Sequence, residues 1–355
     1  MTIKPGAIRF NTDSMKLEIF RGSANYEGTA SMAGIGTLAA GQWEEIQATS
    51  PDIQTGGTRG LRIAGYTAPG SNDDIDYFNI ATTGSATKWG DADGDANQYA
   101  GFSCSDRTRG VFGGGNDSSG HSAETKTNFV TIASEGTVTN FGDLSLATHV
   151  GAGKGVAGNS TRGIIAGGGG NVIQYITIQT TGSFNDFGDM AVTQGNHKNH
   201  APLCNSVRCL QAGGFDSPVS TDAIGYIMTA TQGNSAHFGD LIDTRWHVAG
   251  CSNSTRGIIW NGMTSPSAAT GTNVIQGLEL STLGNAYDFG DTSHDCRSRG
   301  AAASPTRAVA FGGADPAINI MDYVQFASKG DAMDFGDLTQ STEAPMMASN
   351  GHGGL

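Results

Sequence analysis

Between Thr58 and Asp337 one pattern of residues recurs six times. Its shortest clean copy is TRGIIAGGGGNVIQYITIQTTGSFNDFGD, residues 161–189. Each copy opens on a Thr-Arg-Gly-like triplet and runs through short apolar residues into glycines. A β-branched and aromatic run follows, and the copy closes on an aromatic, a glycine and an aspartate. The arginines are Arg59, Arg109, Arg162, Arg208, Arg256 and Arg307. The closing aspartates are Asp91, Asp143, Asp189, Asp240, Asp291 and Asp337, preceded by Trp89-Gly90 in the first copy and Phe-Gly in the rest. The two landmarks alternate strictly, and successive arginines stand 46 to 53 residues apart.

A period of roughly 40 to 50 residues is that of propeller blades, with kelch-type blades at ~50. Each copy reads as four short strands: one before the arginine, as in residues 246–253; one starting at it, as in 256–262; the Tyr/Ile/Val run, as in 75–84; and a last one leading into a Phe-Gly-Asp turn. Gly, Asn, Asp and Ser gather at the joins. No window of about 12 residues carries a capped helical period. Four-stranded sheets repeated radially make a β-propeller. The paired glycines after the second strand suit strands crowded near a central channel.

The ring is expected to close on itself. From a closing Asp to the next Arg there are 16 to 19 residues, and Leu355 lies 18 beyond Asp337. Residues 343–355 therefore hold a first strand without its second, and that missing second strand begins at Arg59. The fold class expected is all-β: a six-bladed propeller over residues 51–355, closed by the C-terminal strand, with a small N-terminal β-hairpin module over 1–50. Closure removes the exposed strand edges of an open array.

Composition agrees. Glycine supplies 54 of 355 residues and charged residues only 15%, which fits many tight turns with polar, uncharged faces. The net charge of −13 disfavours nucleic acid and anionic membrane as partners. No apolar run is long enough for a membrane span, and the first ten residues have no signal-peptide core. Five cysteines do not make a complete set of disulfides. Cys104 and Cys251, each five residues before an arginine, read as small core residues. Cys204 and Cys209 are close enough in sequence to approach each other, with nothing else to mark a redox pair.

In the first 50 residues, GAIRFNTDSMKLEIF (6–20) alternates apolar and polar about a turn and reads as a hairpin. Residues 23–42 are Gly/Ala-rich and precede Trp43-Glu44-Glu45-Ile46. A lone hairpin is marginally stable, so this module needs the propeller, another copy or a docking partner.

These residues carry a resemblance. GAIRFNTDSMKLEIF with W-x-x-I resembles a short module at the attached end of bacteriophage structural proteins. The STRGIIAGG, Y-x-x-I and DFGD units are similar to kelch-like propeller repeats of tailed-phage and cyanophage virion proteins. Trp89 for Phe, Val207-Arg208-Cys209 for Thr-Arg-Gly, Ala308 for Gly and His352 near a Thr position depart from the pattern. The resemblance implies a virion location and a non-enzymatic structural role as fibre, tail-associated or decoration protein. It also implies contacts with other virion proteins through residues 1–50 and a homo-oligomer on the particle, though no coiled-coil heptads specify a trimer. A second reading is a receptor-binding protein for host surface polysaccharide; a third is a carbohydrate-active propeller enzyme.

The regular spacing of the six arginines and six aspartates marks a structural device, since an active site occurs once per ring. Each arginine is expected to be held by a Phe-Gly-Asp carboxylate or by turn carbonyls. No cofactor is expected, save that Asp91, Asp93, Asp95 and Asn97 place oxygen ligands at alternating positions, as calcium loops do. The glycine precedes the third Asp and no bidentate Glu follows, so a solvated turn is the alternative. His197 and His200 are spaced to share a metal, with no further ligand nearby in sequence. No serine sits in a Gly-x-Ser-x-Gly elbow. The joins between second and third strands vary most: residues 113–128 and 261–273 are long and 167–171 short. Loops on one face of a rigid ring suit recognition of a glycan or a protein.

Overall fold

The computed structural model describes residues 7–11, 16–21, 42–45, 57–92, 98–117, 123–136, 138–148, 157–168, 170–191, 198–216, 218–265, 271–314 and 316–355. They form two compact units, Met1–Ile53 and Gln54–Leu355.

In the first unit the expected hairpin gains a third strand. Ile8–Asn11, Lys16–Arg21 and Gln42–Glu45 form an antiparallel sheet in that order. Phe20 faces Trp43 in register, so the Gly/Ala-rich stretch joins neighbouring strands. An ion pair from Arg9 Nη2 to Glu18 Oε2, 2.7 Å, ties the first two.

The second unit is a six-bladed β-propeller. Five blades are four-stranded antiparallel sheets; in the third, a three-stranded sheet is joined by a single bridge from Gly158 to Gly163. The first blade contains the closure. Met346–Ser349 pairs with Arg59–Ile63, with Met346 opposite Ile63 and Ser349 opposite Gly60.

First strands are innermost and wholly buried: Phe102–Ser105, Ala201–Cys204, Ala249–Ser252, Gly300–Ala303 and Met346–Ser349. They lie so close that neighbouring blades bond directly. Ser252 Oγ donates to Cys204 O at 2.7 Å, and Ser105 Oγ to Ser349 O at 2.7 Å. Crowding is relieved by glycine within the strands. A Cβ on Gly250 would stand 2.8 Å from the Ala201 Cβ and the Pro202 carbonyl oxygen. The paired glycines after the second strands lie in the joins beside the segments that enter the inner strands, where a Cβ on Gly115 would stand 2.3 Å from Tyr99 O and one on Gly312 2.6 Å from Thr342 O.

Second strands run from the arginines to one face, here the loop face, and third strands run back. The opposite, arginine face is crossed by residues 350–355. His352 Nε2 donates to Ser105 O at 2.7 Å, Gly353 N to Ser252 O at 2.7 Å, and Gly354 O accepts from Ser160 N at 3.0 Å. A Cβ on Gly353 would meet Asn253 O and Cys204 O at 2.2 and 2.4 Å. Only backbone fits under the channel here.

Each fourth strand contains a bulge that explains the closing motif. Gly188 is opposite Ile173 and Asp186 opposite Gln174, which leaves Phe187 unpaired. The same shift occurs in all six blades. A bulge re-aims its extra residue, and here the aromatic turns into the core: Trp89, Phe141, Phe187, Phe238, Phe289 and Phe335 are all buried. The expected Phe-Gly-Asp turn is therefore a bulged strand. The true turn precedes it, at Gly84, Gly136, Gly182, Gly233, Gly284 and Gly330.

The blades fall into two similar halves. Blades one and four carry a small hairpin in the second-to-third join, Tyr66–Thr67 with Gly70–Ser71 and Phe215–Asp216 with Val219–Ser220. Blades two and five have the long strands, Glu124–Thr131 with Thr139–Thr148 and Thr272–Glu279 with Tyr287–Cys296. Half a turn about the ring thus brings like upon like.

Candidate functional site: the loop face

The repeat residues themselves are structural. Arg162 Nη1 donates to Thr229 O in the next blade at 2.8 Å, while its guanidinium lies over its own blade's Tyr175, 5.0 Å from the centroid. Tyr175 meets the bulged Phe187 edge-on at 5.8 Å. The same hand-over joins Arg59 to Ile132 and Ala133, Arg109 to Ile178, Arg208 to Leu280 and Ser281, Arg256 to Phe326, and Arg307 to Ile80. Main-chain carbonyls, not Phe-Gly-Asp carboxylates, are the arginines' partners, apart from Glu279 beside Arg256 at 2.8 Å. In the fifth blade Gly277 replaces the stacking tyrosine, and the Tyr287 ring occupies its space.

The motif's backbone does the complementary work. Phe187 O accepts from Gly233 N at 2.9 Å, Asp189 O from Ser235 N at 2.8 Å, and Asp189 N donates to Asn234 Oδ1 at 3.0 Å. Asp143 O, Asp240 O, Asp291 O and Asp337 O make the corresponding bond to the next blade's turn. The aspartate side chains are left at the surface.

Of the residues that the sequence offered for metal binding, Asp91 and His200 are among the described ones, and Asp91 lies on the loop face. It stands beside Asp73 and Asp74, their oxygens within 4.8 Å of one another. Lys88 Nζ is 2.7 Å from both Asp74 and Asp91, and its hydrogen bond holds the Asp91 carboxyl below its usual range. The ammonium thus already supplies this cluster's counter-charge. Asp93, Asp95 and Asn97 lie outside the described residues, as does His197. His200 is buried and lines, with Ser103 and Pro202, a cavity of about 10 Å³, at the lower limit of what holds a single water.

Around the channel mouth the residue two before each inner strand is left-handed: Ala100, Asn199, His247, Ser298 and Ala344, with φ between 48° and 56°. Main-chain bonds link them from blade to blade, Ser298 N to His247 O at 3.0 Å, Ala344 N to Ser298 O at 2.8 Å and Ala100 N to Ala344 O at 2.9 Å. His247 Nδ1 lies 2.7 Å from Ser298 Oγ, which resembles a catalytic dyad. Ser298 is 3% exposed, so its hydroxyl ties two blades together and is not presented to a substrate.

Beside each small hairpin the loop face carries an aromatic pair. Tyr66 meets Tyr99 at 5.1 Å, and half a turn away Phe215 meets Trp246 at 4.7 Å. All four are half-buried. No sequence motif announced them; each joins residues about 30 apart, and alignment of the blades was the only available signal. Two grooves lie off this face. One of about 330 Å³ is lined by Asn253, Arg256, Thr306 and Gln325, the other of about 220 Å³ by Thr177, Thr180, Ser183 and Asn185. Neither gathers an acid and a base among the described residues.

Cys204 and Cys209 face each other across the first two strands of blade four and form a buried disulfide, so the pair left unmarked by the sequence is joined. Cys104 and Cys251 are buried in inner strands, where burial pushes the Cys251 thiol up to about 12. No protein-family model matches the chain, and no curated protein matches it.

Proposed function

We propose that this protein is a non-enzymatic structural component of a tailed-phage virion, in which a rigid kelch-like propeller displays its loop face for recognition. The observation that carries the display role is the segregation of the ring. The six arginines are taken up by the repeat's own bonds from blade to blade, while the described parts of the joins, the acidic cluster and the aromatic pairs share the loop face. Loops held by a rigid scaffold are where recognition resides. The virion setting is supported by the N-terminal module and repeat units described above, and the disulfide suits a protein working outside a reducing cytosol. In this reading residues 1–50 attach to other virion proteins, and copies assemble on the particle. The aromatic pairs favour a second reading within it, recognition of host surface polysaccharide. Immunogold electron microscopy of phage particles, with antibody to residues 51–355, tests the proposal. Gold at tail tip, fibres, neck or head supports it; particles without gold refute it.

A further inference from the structure

The groove of about 330 Å³ lies on the arginine face, between the turn that joins the first two strands of blade five and the end of the third strand of blade six. Asn253, Thr255 and Arg256 line it from one side, and Pro305, Thr306, Phe326 and Ala327 from the other. Thr255, Thr306 and Ala327 are exposed, so the space is open to solvent. Its volume is that of small-molecule sites, about 300–1,000 Å³.

The repeat supplies a counterpart. Arg109 N donates to Asp106 Oδ1 at 2.8 Å as Arg256 N does to Asn253 Oδ1 at 2.7 Å, and their Nη1 atoms donate to the carbonyls of Ile178 and Phe326. Position by position, Asp106 answers to Asn253, Thr108 to Thr255 and Gln179 to Ala327. At the junction of blades two and three the Gln179 side chain crosses this space. Its Nε2 donates to Asp106 Oδ2 and to Thr108 Oγ1, the latter at 2.9 Å. Between blades three and four the crossing bond is from Asn159 Nδ2 to Thr229 Oγ1, 3.1 Å. Among the described residues no side chain crosses between blades five and six. Ala327 is too short, Phe326 has no hydroxyl where blade four has Thr229, and Asn253 Nδ2 donates to Pro305 O at 3.0 Å. Gln325 is held by Thr306 O and Arg307 Nε, 3.1 Å from each.

We infer that the groove between blades five and six binds an N-acetylhexosamine residue, whose acetamido group takes the place that Gln179 fills between blades two and three. The chain's own occupant of the equivalent space is a neutral carboxamide, and an acetamido group is the same functional group carried by a sugar. Its N–H meets Thr255 Oγ1 as Gln179 meets Thr108, and its methyl lies against Pro305 and Ala327. The Thr306 hydroxyl, which serves as donor or acceptor, and the Arg256 guanidinium border the space for the ring hydroxyls. An ionic ligand is disfavoured. Arg256 already faces Glu279 at 2.8 Å, no other ionisable residue lines the groove, and the net charge of −13 repels anions. A peptide is disfavoured as well, because the strands beside the groove, Arg256–Trp260, Arg307–Phe311 and Ile320–Gln325, are each paired on both edges. None is open to a further strand.

The site lies on the face opposite the display loops and shares with the proposed function only a class of ligand, so particles without gold would leave it standing. It is tested by saturation-transfer NMR on the full chain with N-acetylglucosamine, N-acetylgalactosamine, glucose and galactose at millimolar concentration. Transfer to the acetamido methyl of at least one N-acetyl sugar is expected, with less to the parent hexoses. Ala327→Gln, which copies the Gln179 plug at an exposed position, should leave the melting temperature unchanged and weaken transfer about tenfold. Gln179→Ala, which opens the counterpart, should not weaken it. Undiminished transfer in a folded Ala327→Gln variant would overturn the site and place sugar binding elsewhere on the ring. Equal transfer to glucose and galactose would overturn the acetamido assignment. No transfer to either N-acetyl sugar would overturn the site outright, and transfer to acetyl-glutamine amide in their stead would give the groove to a side chain of a partner protein.

Discussion

Arg307 of the sixth blade donates from Nη1 to the carbonyl of Ile80 in the first, at 3.5 Å. The last arginine thereby makes the same bond as its five counterparts, across the closure of the ring. A device that passes from each blade to the next works only when the last reaches the first.

Removing one of these arginines should weaken the ring locally. Arg162→Ala loses the 2.8 Å bond to Thr229 O and the stacking on Tyr175. A charge-assisted bond and an exposed cation–π contact together suggest about 2 kcal/mol. For a unit of about 300 residues that lowers the melting temperature by roughly 3 °C, measured by circular dichroism. An unchanged melt would show the arginine to be dispensable.

The glycine after the bulged aromatic should tolerate no side chain. Gly188 has φ +147°, and a Cβ there would stand 2.5 Å from Gly233 O. Strain and overpacking together put Gly188→Ala near 3 kcal/mol. Gly136→Ala, where a Cβ meets nothing within 4 Å, is the control and should leave urea denaturation within about 0.5 kcal/mol of wild type.

Acid should loosen the segment that crosses the arginine face. Burial pulls the His352 imidazole down to about 4, against about 6.5 in an unfolded chain. The folded state therefore binds fewer protons than the unfolded one between those values. Stability from this residue is complete above pH 6.5 and falls as pH drops toward 4, by up to about 3 kcal/mol. His352→Gln should flatten that limb of the stability–pH curve; an equally steep limb would assign the acid sensitivity to other groups.

The buried ion pair of the first blade offers a sharper asymmetry. Arg62 Nη2 lies 2.6 Å from Asp76 Oδ2, both side chains fully buried, and Thr339 Oγ1 donates to Asp76 Oδ1 at 2.7 Å. Asp76→Ala strands a buried guanidinium and should cost about 3–5 kcal/mol. Arg62→Met with Asp76→Leu should recover much of that loss in calorimetry, whereas equal loss in single and double variants would mean that Thr339 and the backbone carry the network.

The architecture was legible because periodicity is a property of residue types at fixed spacing. Six arginines and six closing motifs gave the blade number, and the half-blade at each end gave the closure. What they could not give is direction. Arg162 reaches Thr229, 67 residues on, and spacing alone does not tell an own-blade aspartate from a next-blade carbonyl. The bulge was hidden for a related reason: Phe-Gly-Asp has turn composition, and only pairing with Ile173 and Gln174 shows an extra residue in a strand. Arg62 and Asp76 stood in the sequence as charges inside apolar runs, a signal that alignment of the blades could have exposed.

Met346–Ser349 fills the first blade beside Arg59–Ile63, and Gly57 N donates to Asn350 O at 2.8 Å. The ring therefore has no privileged starting blade. A short linker from Leu355 to Gly57, with new termini opened in the exposed turn at Thr181–Gly182, should yield a circular permutant of the propeller that folds to the same ring. Its closure would then fall between strands of the third blade, with the old seam continuous chain.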